Sequence, residues 1–337
     1  MPEKPIPEKL ISEKLILWAV SDGRAGIENQ ALGLAEAVAR LTPAEIVVKR
    51  LRYRAPWDRL PTALKLWPDA MLRQDSDRIA APWPDIWIGC GRASLPHGLR
   101  MRERSGGKTF VVQLQDPKTD LAPYDLVIAP EHDHLRGANV LSLLGSANRI
   151  TPERLAEAYE VWRKRLDGLP HPRVCVLIGG RSRAFDLDAD HAVLIARDVR
   201  AAIEATGGSV LLTVSRRTPP EARAVLTDGL RALPGMVYDG TGDNPYFAFL
   251  HAADRFLVTE DSVNMATEAA ATGKPVQIVS LPRRTLGGGA KFEDFHESLR
   301  ARGVAHPFET HLSGDPYPPL NETARAAQIL LERYRKR

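Results

Sequence analysis

The chain has no apolar run near the ~18 residues that a membrane-spanning helix requires; its longest candidates, Leu15 to Val20 and Val174 to Ile178, are strand-sized. That excludes a helical bilayer span. Cysteine is scarce: Cys90 and Cys175 stand in separate apolar contexts, with no CxxC and no Cys/His cluster. This excludes a disulfide scaffold and fits two buried thiols in a reducing compartment. Neither half carries GxGxxG after its first apolar strand, and GxxxxGK[ST] is missing, so hydride transfer on a dinucleotide and P-loop NTP hydrolysis fall away. The N-terminus, MPEKPIPEKLISEK, has no apolar signal core, which argues against secretion and predicts a frayed tail over residues 1–14.

What is there reads as a cytoplasmic globular protein. With 337 residues, 44% hydrophobic and 26% charged, the chain suffices for two domains. Strands are expected at 15–20, 45–51, 85–89, 109–114 and 125–129, with a helix near Asn29 to Leu41. Thr151 caps a helical segment to about Leu166, and DGLPHP at Asp167 to Pro172 is the best linker. The alternation then restarts with strands at 174–178, 209–214, 236–238, 256–258 and 276–279. The fold class is α/β: two Rossmann-like doubly wound domains, 15–168 and 169–337, facing a cleft at the carboxyl ends of their strands, with the last helix free to pack back on the first domain.

The formal net charge of +4 arises wholly before Leu166. Between Lys49 and Lys108 arginine is frequent, and inside that stretch Trp57, Leu60, Leu64, Trp67 and Met71 recur at helical steps, interrupted by Pro61 and Pro68. The plainer expectation is a helix that packs this stripe on its own sheet; the alternative is a basic amphipathic segment lying on anionic lipid. Nucleic acid is not expected, because the aromatics are not spaced as stacking platforms.

The densest chemistry lies in Phe256 to Ser280, FLVTEDSVNMATEAAATGKPVQIVS, read as strand, acidic turn, short helix and strand. Thr259 and Met265 belong to this unit. Asp261 or Ser262 can cap the helix, Gly273-Lys274-Pro275 stops it, and its first-turn amides favour phosphate. Glu268, six residues beyond Ser262, lies ~9 Å along the axis and shares a helix face with Asp261, which suits a carboxylate binding both hydroxyls of a ribose. Other strand-end turns join it: Gly179-Gly180-Arg181-Ser182 offers bare backbone to an anion, Ser215-Arg216-Arg217 offers two guanidiniums, and Asn244-Pro245-Tyr246 offers an aromatic to a base.

In the first half, Ser21 to Gln30 follows the first strand directly. Asp22 stands at the cleft mouth, Arg24 follows it, two glycines permit a tight loop, and Asn29 and Gln30 lead a helix with amides able to grip a hydroxylated substrate. Arg92, Gln115, Asp116, His132 and Asp133 are the other strand-end polar groups. Asp186, Asp188 and Asp190 alternate as in a calcium loop but lack its glycine and distal Glu, and His132 with His134 has no further ligands in sequence. No metal and no cofactor are expected.

With DGRAGIENQ at Asp22 to Gln30, LIGGRS at Leu177 to Ser182, SRRTP at Ser215 to Pro219, NPY at Asn244 to Tyr246 and VTEDSVNMATEAAATGKPV at Val258 to Val276, the chain resembles the elongated-mitochondria (mitochondrial fission) family. The resemblance runs from about residue 15 to 300 and implies a glycosyltransferase-B-type fold. Bacterial members of that family look like glycosyltransferases of the lipopolysaccharide outer core, and a plant member acts as a mitochondrial-surface adaptor for a dynamin-like protein. The resemblance therefore implies either an inverting, metal-independent glycosyltransferase with a nucleotide-sugar donor and a glycan or glycolipid acceptor, or a non-catalytic membrane-associated adaptor; a nucleotide-sugar epimerase shares the architecture. The motifs are also similar to those of inverting transferases such as heptosyltransferases, whose acidic base follows strand one, as Asp22 does. The adjacent acids Glu260-Asp261 depart from that pattern, since both would repel a diphosphate.

Overall fold

The computed structural model describes residues 14–284 and 289–337; the expected tail falls outside them but for Lys14. Twelve strands form two six-stranded parallel sheets. The first contains β1 (Leu15–Ser21), β2 (Ala44–Arg50), β3 (Ile86–Cys90), β4 (Phe110–Leu114), β5 (Leu126–Pro130) and β6 (Val140–Leu143), in the order β2-β1-β3-β4-β5-β6. The second contains β7 (Arg173–Ile178), β8 (Ser209–Val214), β9 (Gly235–Tyr238), β10 (Arg255–Thr259), β11 (Val276–Val279) and β12 (Ala305–Pro307), in the order β12-β11-β10-β7-β8-β9. Chain order reverses between β1 and β3 in one sheet and between β7 and β10 in the other. Those are the switch points at which doubly wound sheets place ligands.

Period-two packing explains why these segments are strands. Leu17 and Ala19 face one core with Leu34 and Val38 of α1 (Ala25–Ala39), whereas Trp18 and Val20 face a second core with Leu95 and Met101 of α2 (Leu95–Arg104). Burial on both faces produces the continuous apolar runs seen in the sequence. In the second sheet, Val174, Val176 and Ile178 pack with Ile195 and Val199 of α4 (Ala189–Glu204) and Leu226 of α5 (Pro220–Leu230). The cysteines sit in these interiors, where burial pushes both thiols up.

The chain divides into a unit of 1–149 with 322–337 and a unit of 150–321, so the boundary precedes the expected linker. The helix α3 (Pro152–Leu166), capped by Thr151, belongs to the second unit because it packs on α6 (Tyr246–Ala252), where the Tyr159 and His251 rings lie 4.7 Å apart. The last helix, α9 (Glu322–Arg335), packs on α1 in the first unit; its Thr323 hydroxyl accepts from the Asn148 amide at 3.0 Å. α7 (Val263–Ala270) follows β10, and α8 (Ala290–Ala301) precedes β12.

Two expectations need correction. The stripe from Trp57 to Met71 is not a helix packed on the sheet: it forms short 3-10 turns at Thr62–Leu64 and Asp69–Met71, because prolines at 61 and 68 deny it the i to i−4 bonds. Leu64, Leu66 and Trp67 are consequently exposed, and Met71 alone of the stripe is fully buried. α1 starts at Ala25, four residues before the expected site, so Asn29 and Gln30 lie inside the helix instead of leading it. No helix among the described residues is long and apolar enough to cross a membrane.

Candidate functional site

At the carboxyl edge of the second sheet, the ends of β7, β8 and β10 are knitted by short polar side chains. The Gly179 amide donates to Thr259 Oγ1 at 2.7 Å, and the Gly180 amide donates to Asp261 Oδ2 at 3.0 Å. Thr259 Oγ1 in turn donates to Asp261 Oδ1 at 2.7 Å. Ser215 and Thr218 hydroxyls both donate to the Gly179 carbonyl, at 2.7 and 2.5 Å. Arg217 meets Asp261 at 2.7 Å, and the Asp261 side chain is fully buried. Burial raises this carboxyl above its ordinary range, against the pull of Arg217 and the donors around it. A Cβ on Gly179 would overlap the Asp261 carboxylate, so glycine here is a requirement of that contact.

The structure thus resolves the pair of acids that looked repulsive in sequence. Asp261 is not on the face of α7 with Glu268; it turns beneath the glycine turn and supplies the anion that Gly180 and Arg217 would otherwise seek from outside. Glu260 turns the other way, accepting from the Leu281 amide, with His296 on its carbonyl. Neither acid caps α7. Ser262 occupies the N-cap position without a side-chain capping bond, the first turn of α7 contains no acid, and the first helical bond is Ala266 N–H to the Ser262 carbonyl at 3.0 Å. Such an amino end retains its attraction for an anion. Arg216, next to Arg217, is exposed, and among the described residues it has no ion pair.

Glu268 is buried in α7, where it accepts a hydrogen bond from the hydroxyl of Tyr246 at the start of α6. Burial lifts its carboxyl to about 7, and burial with Glu268 beside it pushes the Tyr246 phenol well up. Asn244 is exposed and accepts from the Tyr246 amide at 3.0 Å, which sets the turn into α6. Met265 is half-buried on α7. Ser182 stands apart from the network: its hydroxyl accepts from the amides of Ala184 and Phe185 and closes its own loop. The Asp186 to Asp190 run has local duties, with Asp186 on Arg181 and Asp188 capping α4 through the His191 amide at 2.9 Å.

The carboxyl edge of the first sheet is more open. Asp22, just past β1, accepts from the Arg24 amide at 3.0 Å and pairs with its guanidinium at 2.7 Å; Asp22 is 20% and Arg24 62% exposed. A cavity of about 310 Å³ opens at the ends of β3 and β4, lined by Arg92, Gln115, Asp116 and Lys118 and walled by Pro61 to Ala63. Gln115 donates to Gln30 at 3.2 Å; Gln30 is buried and lies outside the cavity lining. Asn29 is half-buried in the second turn of α1. His132 and Asp133 sit in a 3-10 turn after β5, beyond the cavity lining. Asp116 pairs with Lys118, whose ammonium is held above its usual range mainly by that bond.

Sequence reasoning did not single out Thr218 or Lys118. The first was visible as the fourth residue of SRRTP, where a hydroxyl after two arginines can turn back on a strand end; the second lay two residues past Asp116, without a spacing signal.

A family model described as Mitochondrial fission ELM1 matches residues 25–334. The Mitochondrial fission protein ELM1 of Arabidopsis thaliana is 33% identical over 271 residues, which is 72% of this chain but 62% of the plant protein, so the match spans about three fifths of that relative. An uncharacterized protein of Rickettsia prowazekii is 26% identical over 93% of this chain and 97% of its own. Among solved structures, the UDP-GlcNAc 2-epimerase of Methanocaldococcus jannaschii superposes with a TM-score of 0.51 at 13% identity, covering 94% of this chain and 100% of that one. Two Rossmann-like parallel sheets of this kind are the glycosyltransferase-B architecture.

Proposed function

The chain belongs to the mitochondrial fission ELM1 family, and on that premise we propose that it is an inverting glycosyltransferase, using a nucleotide sugar as donor and a cell-envelope glycan or glycolipid as acceptor, without a metal ion. It works from the cytoplasm at the inner face of the membrane. The observation that carries this reading is α7: an amino end with no side-chain cap and no acid in its first turn, preceded by Asp261 with its partner Arg217, to which the exposed Arg216 is adjacent in sequence, and with the buried Glu268 in its second turn. A diphosphate placed there gains helix amides and a guanidinium, and Glu268 with Tyr246 is the polar pair available to a ribose.

In the reaction, Asp22 takes the proton of the acceptor hydroxyl as its oxygen attacks the anomeric carbon. The bond from that carbon to the diphosphate breaks, and Arg216 with the α7 amides stabilises the leaving nucleotide. Asp22 must first exchange Arg24 for the acceptor. Because Arg24 is mostly exposed, that pair costs little to open, about 0–1 kcal/mol. Asp22→Ala should lower turnover by about 10²- to 10⁴-fold and leave donor binding unchanged.

A second reading, a non-catalytic adaptor at a membrane, is favoured by Asp261, which fills the glycine turn with the protein's own carboxylate. A thermal-shift panel of UDP, GDP, ADP and CMP separates the two. One nucleotide at 100 times its dissociation constant should stabilise by about 2.7 kcal/mol; no shift with any of the four would remove the transferase reading. Conversion of the donor sugar with no acceptor present would instead mark an epimerase.

A further inference from the structure

The segment from Pro61 to Met71, which carries two of the 3-10 turns of the first unit, is inside out. Lys65 is 3% exposed, whereas its neighbours Leu64, Leu66 and Trp67 are 54%, 56% and 70% exposed. Burying an ammonium opposes folding unless it is paired, and three large apolar side chains in water forgo the burial that usually stabilises a loop. Lys65 Nζ rests 4.6 Å over the Tyr53 ring, and neither Lys65 nor Arg92 has an ion pair among the described residues. Burial and the nearby charge of Arg92 both depress the Lys65 ammonium, with Asp58 acting more weakly in the opposite sense.

The same segment forms the wall of the cavity at the ends of β3 and β4, through Pro61, Thr62 and Ala63. Arg92 is exposed there, and Leu95, the first residue of α2, lines it too. The cavity thus holds Arg92 beside the Asp116–Lys118 pair, and the chain that walls it continues directly into the exposed ridge of Leu64, Leu66 and Trp67; the last two line a second hollow with Asp69, Arg100, Glu103 and Arg104. The ridge is held from below: Arg100 of α2 donates to the Leu66 carbonyl at 3.3 Å. Exposed Arg54 and Arg59 flank it.

We propose that the first unit seats a membrane-borne anionic amphiphile, its phosphate in the cavity against Arg92 and its hydrocarbon side met by Leu64, Leu66 and Trp67 at the lipid interface. That this amphiphile is the acceptor of glycosyl transfer rests on the function proposed above; the seat itself does not. Leu and Trp side chains settle at the lipid interface, and the arginines around the ridge, Arg54, Arg59, Arg100 and Arg104 against Asp58, Asp69 and Glu103, leave a small positive excess that favours an anionic surface.

The test uses the full chain with three vesicle types: phosphatidylcholine alone, phosphatidylcholine with phosphatidylserine, and phosphatidylcholine with phosphatidic acid, whose phosphate is terminal. Binding should be strongest to phosphatidic acid, with a blue shift of tryptophan emission that Trp67→Phe diminishes. Arg92→Ala should weaken that binding about fivefold, and Leu66→Ser with Trp67→Ser about tenfold or more. Both sites are exposed, so the variants should fold; unchanged circular dichroism checks this. Equal binding to both anionic vesicles with no effect of Arg92→Ala would overturn the phosphate seat, and inorganic phosphate alone stabilising the chain through Arg92, with vesicles ignored, would overturn the lipid. Vesicle binding by a chain that answers no nucleotide would end the transferase reading and leave the seat standing, while nucleotide binding without vesicle binding would do the reverse.

Discussion

At the switch point of the second sheet, the glycine amides after β7 are answered by Thr259 and Asp261, and Asp261 is answered by Arg217. At the matching switch point of the first sheet, Asp22 pairs with the mostly exposed Arg24, and the cavity next to it keeps Arg92, which has no ion pair among the described residues. The same topology has been finished in two ways. Where the strand ends supply their own anion, the glycine turn itself gives up a phosphate cradle and leaves only the neighbouring α7 amino end to a ligand; where they do not, the edge keeps charge for a partner. The difference teaches that a glycine turn after a strand is not by itself an anion site, since a buried carboxylate from a neighbouring strand can occupy it first.

The most forceful way to break the contrast is to add a methyl group at each turn. Gly179→Ala must displace the Asp261 carboxylate from its donors, and we expect a loss of about 4 kcal/mol in the second unit. Gly91→Ala, after β3, places a Cβ 2.9 Å from Ile27 at a backbone φ of +75°, a matter of strain and a yielding side chain, and should cost about 1–2 kcal/mol. Urea denaturation of both variants checks the ratio. Equal losses would mean that the second edge is no more closed than the first.

Next in size is the pH response of Glu268. Its carboxyl titrates near 7 when folded and near 4.5 when unfolded, so the folded state binds the proton more tightly. The resulting stability is fully present below pH 4.5 and disappears as pH rises to about 7, a change on the order of 3 kcal/mol. Glu268→Gln keeps an acceptor for Tyr246 and has no proton to lose. It should match the wild type near pH 4 and exceed it by ~2–3 kcal/mol at pH 8; denaturation curves that stay parallel across that window would refute the buried placement of Glu268. A nucleotide bound through its ribose should shrink the difference, because its hydroxyls donate to the charged form.

How much of this was readable in the sequence depends on what each element had to announce. Strands buried on both faces, such as Ile86 to Cys90, spell themselves as apolar runs. The edge strands β6 and β12 went unread because they are short and mostly not fully buried, with Leu143 the one buried residue of β6 and Ala305 that of β12, and β12 carries Pro307. Helix period alone misled at Trp57 to Met71, where the steps were right and the prolines decided otherwise. At the site, residue types were legible but their directions were not: Thr259, Asp261 and Arg217 were all candidates for an outside ligand, and tertiary packing turned them upon one another. Asp261 could be placed on the α7 face only by assuming that the helix began two residues earlier than Val263. The last helix was expected to be free to pack back on the first domain, but its apolar face of Ala326, Ala327, Leu330 and Leu331 would suit either sheet, so its pattern did not fix the choice.

The smallest effects sharpen the comparison most, because they hold bond length constant. Arg24 meets Asp22 at 2.7 Å, and Arg217 meets Asp261 at 2.7 Å. The carboxylates differ: Asp22 is 20% exposed and Asp261 is fully buried. Removing Arg217 leaves a buried acid with only neutral donors, which the protein can relieve by protonating it or by admitting water. Arg217 is itself 44% exposed, so solvent already screens part of the attraction, and the expected loss is about 1–2 kcal/mol instead of the larger cost of breaking a wholly buried pair. Removing Arg24 returns Asp22 to water that can solvate it, and the loss should stay below about 0.5 kcal/mol. Raising the salt concentration should widen the gap, because screening shrinks the Arg24 loss more than the Arg217 loss. Denaturation midpoints of Arg24→Ala and Arg217→Ala at low and high salt decide the matter: if both variants lose the same stability and respond alike to salt, the two edges are electrostatically equivalent, and the carboxylate beneath the glycine turn is not the plug that distinguishes them.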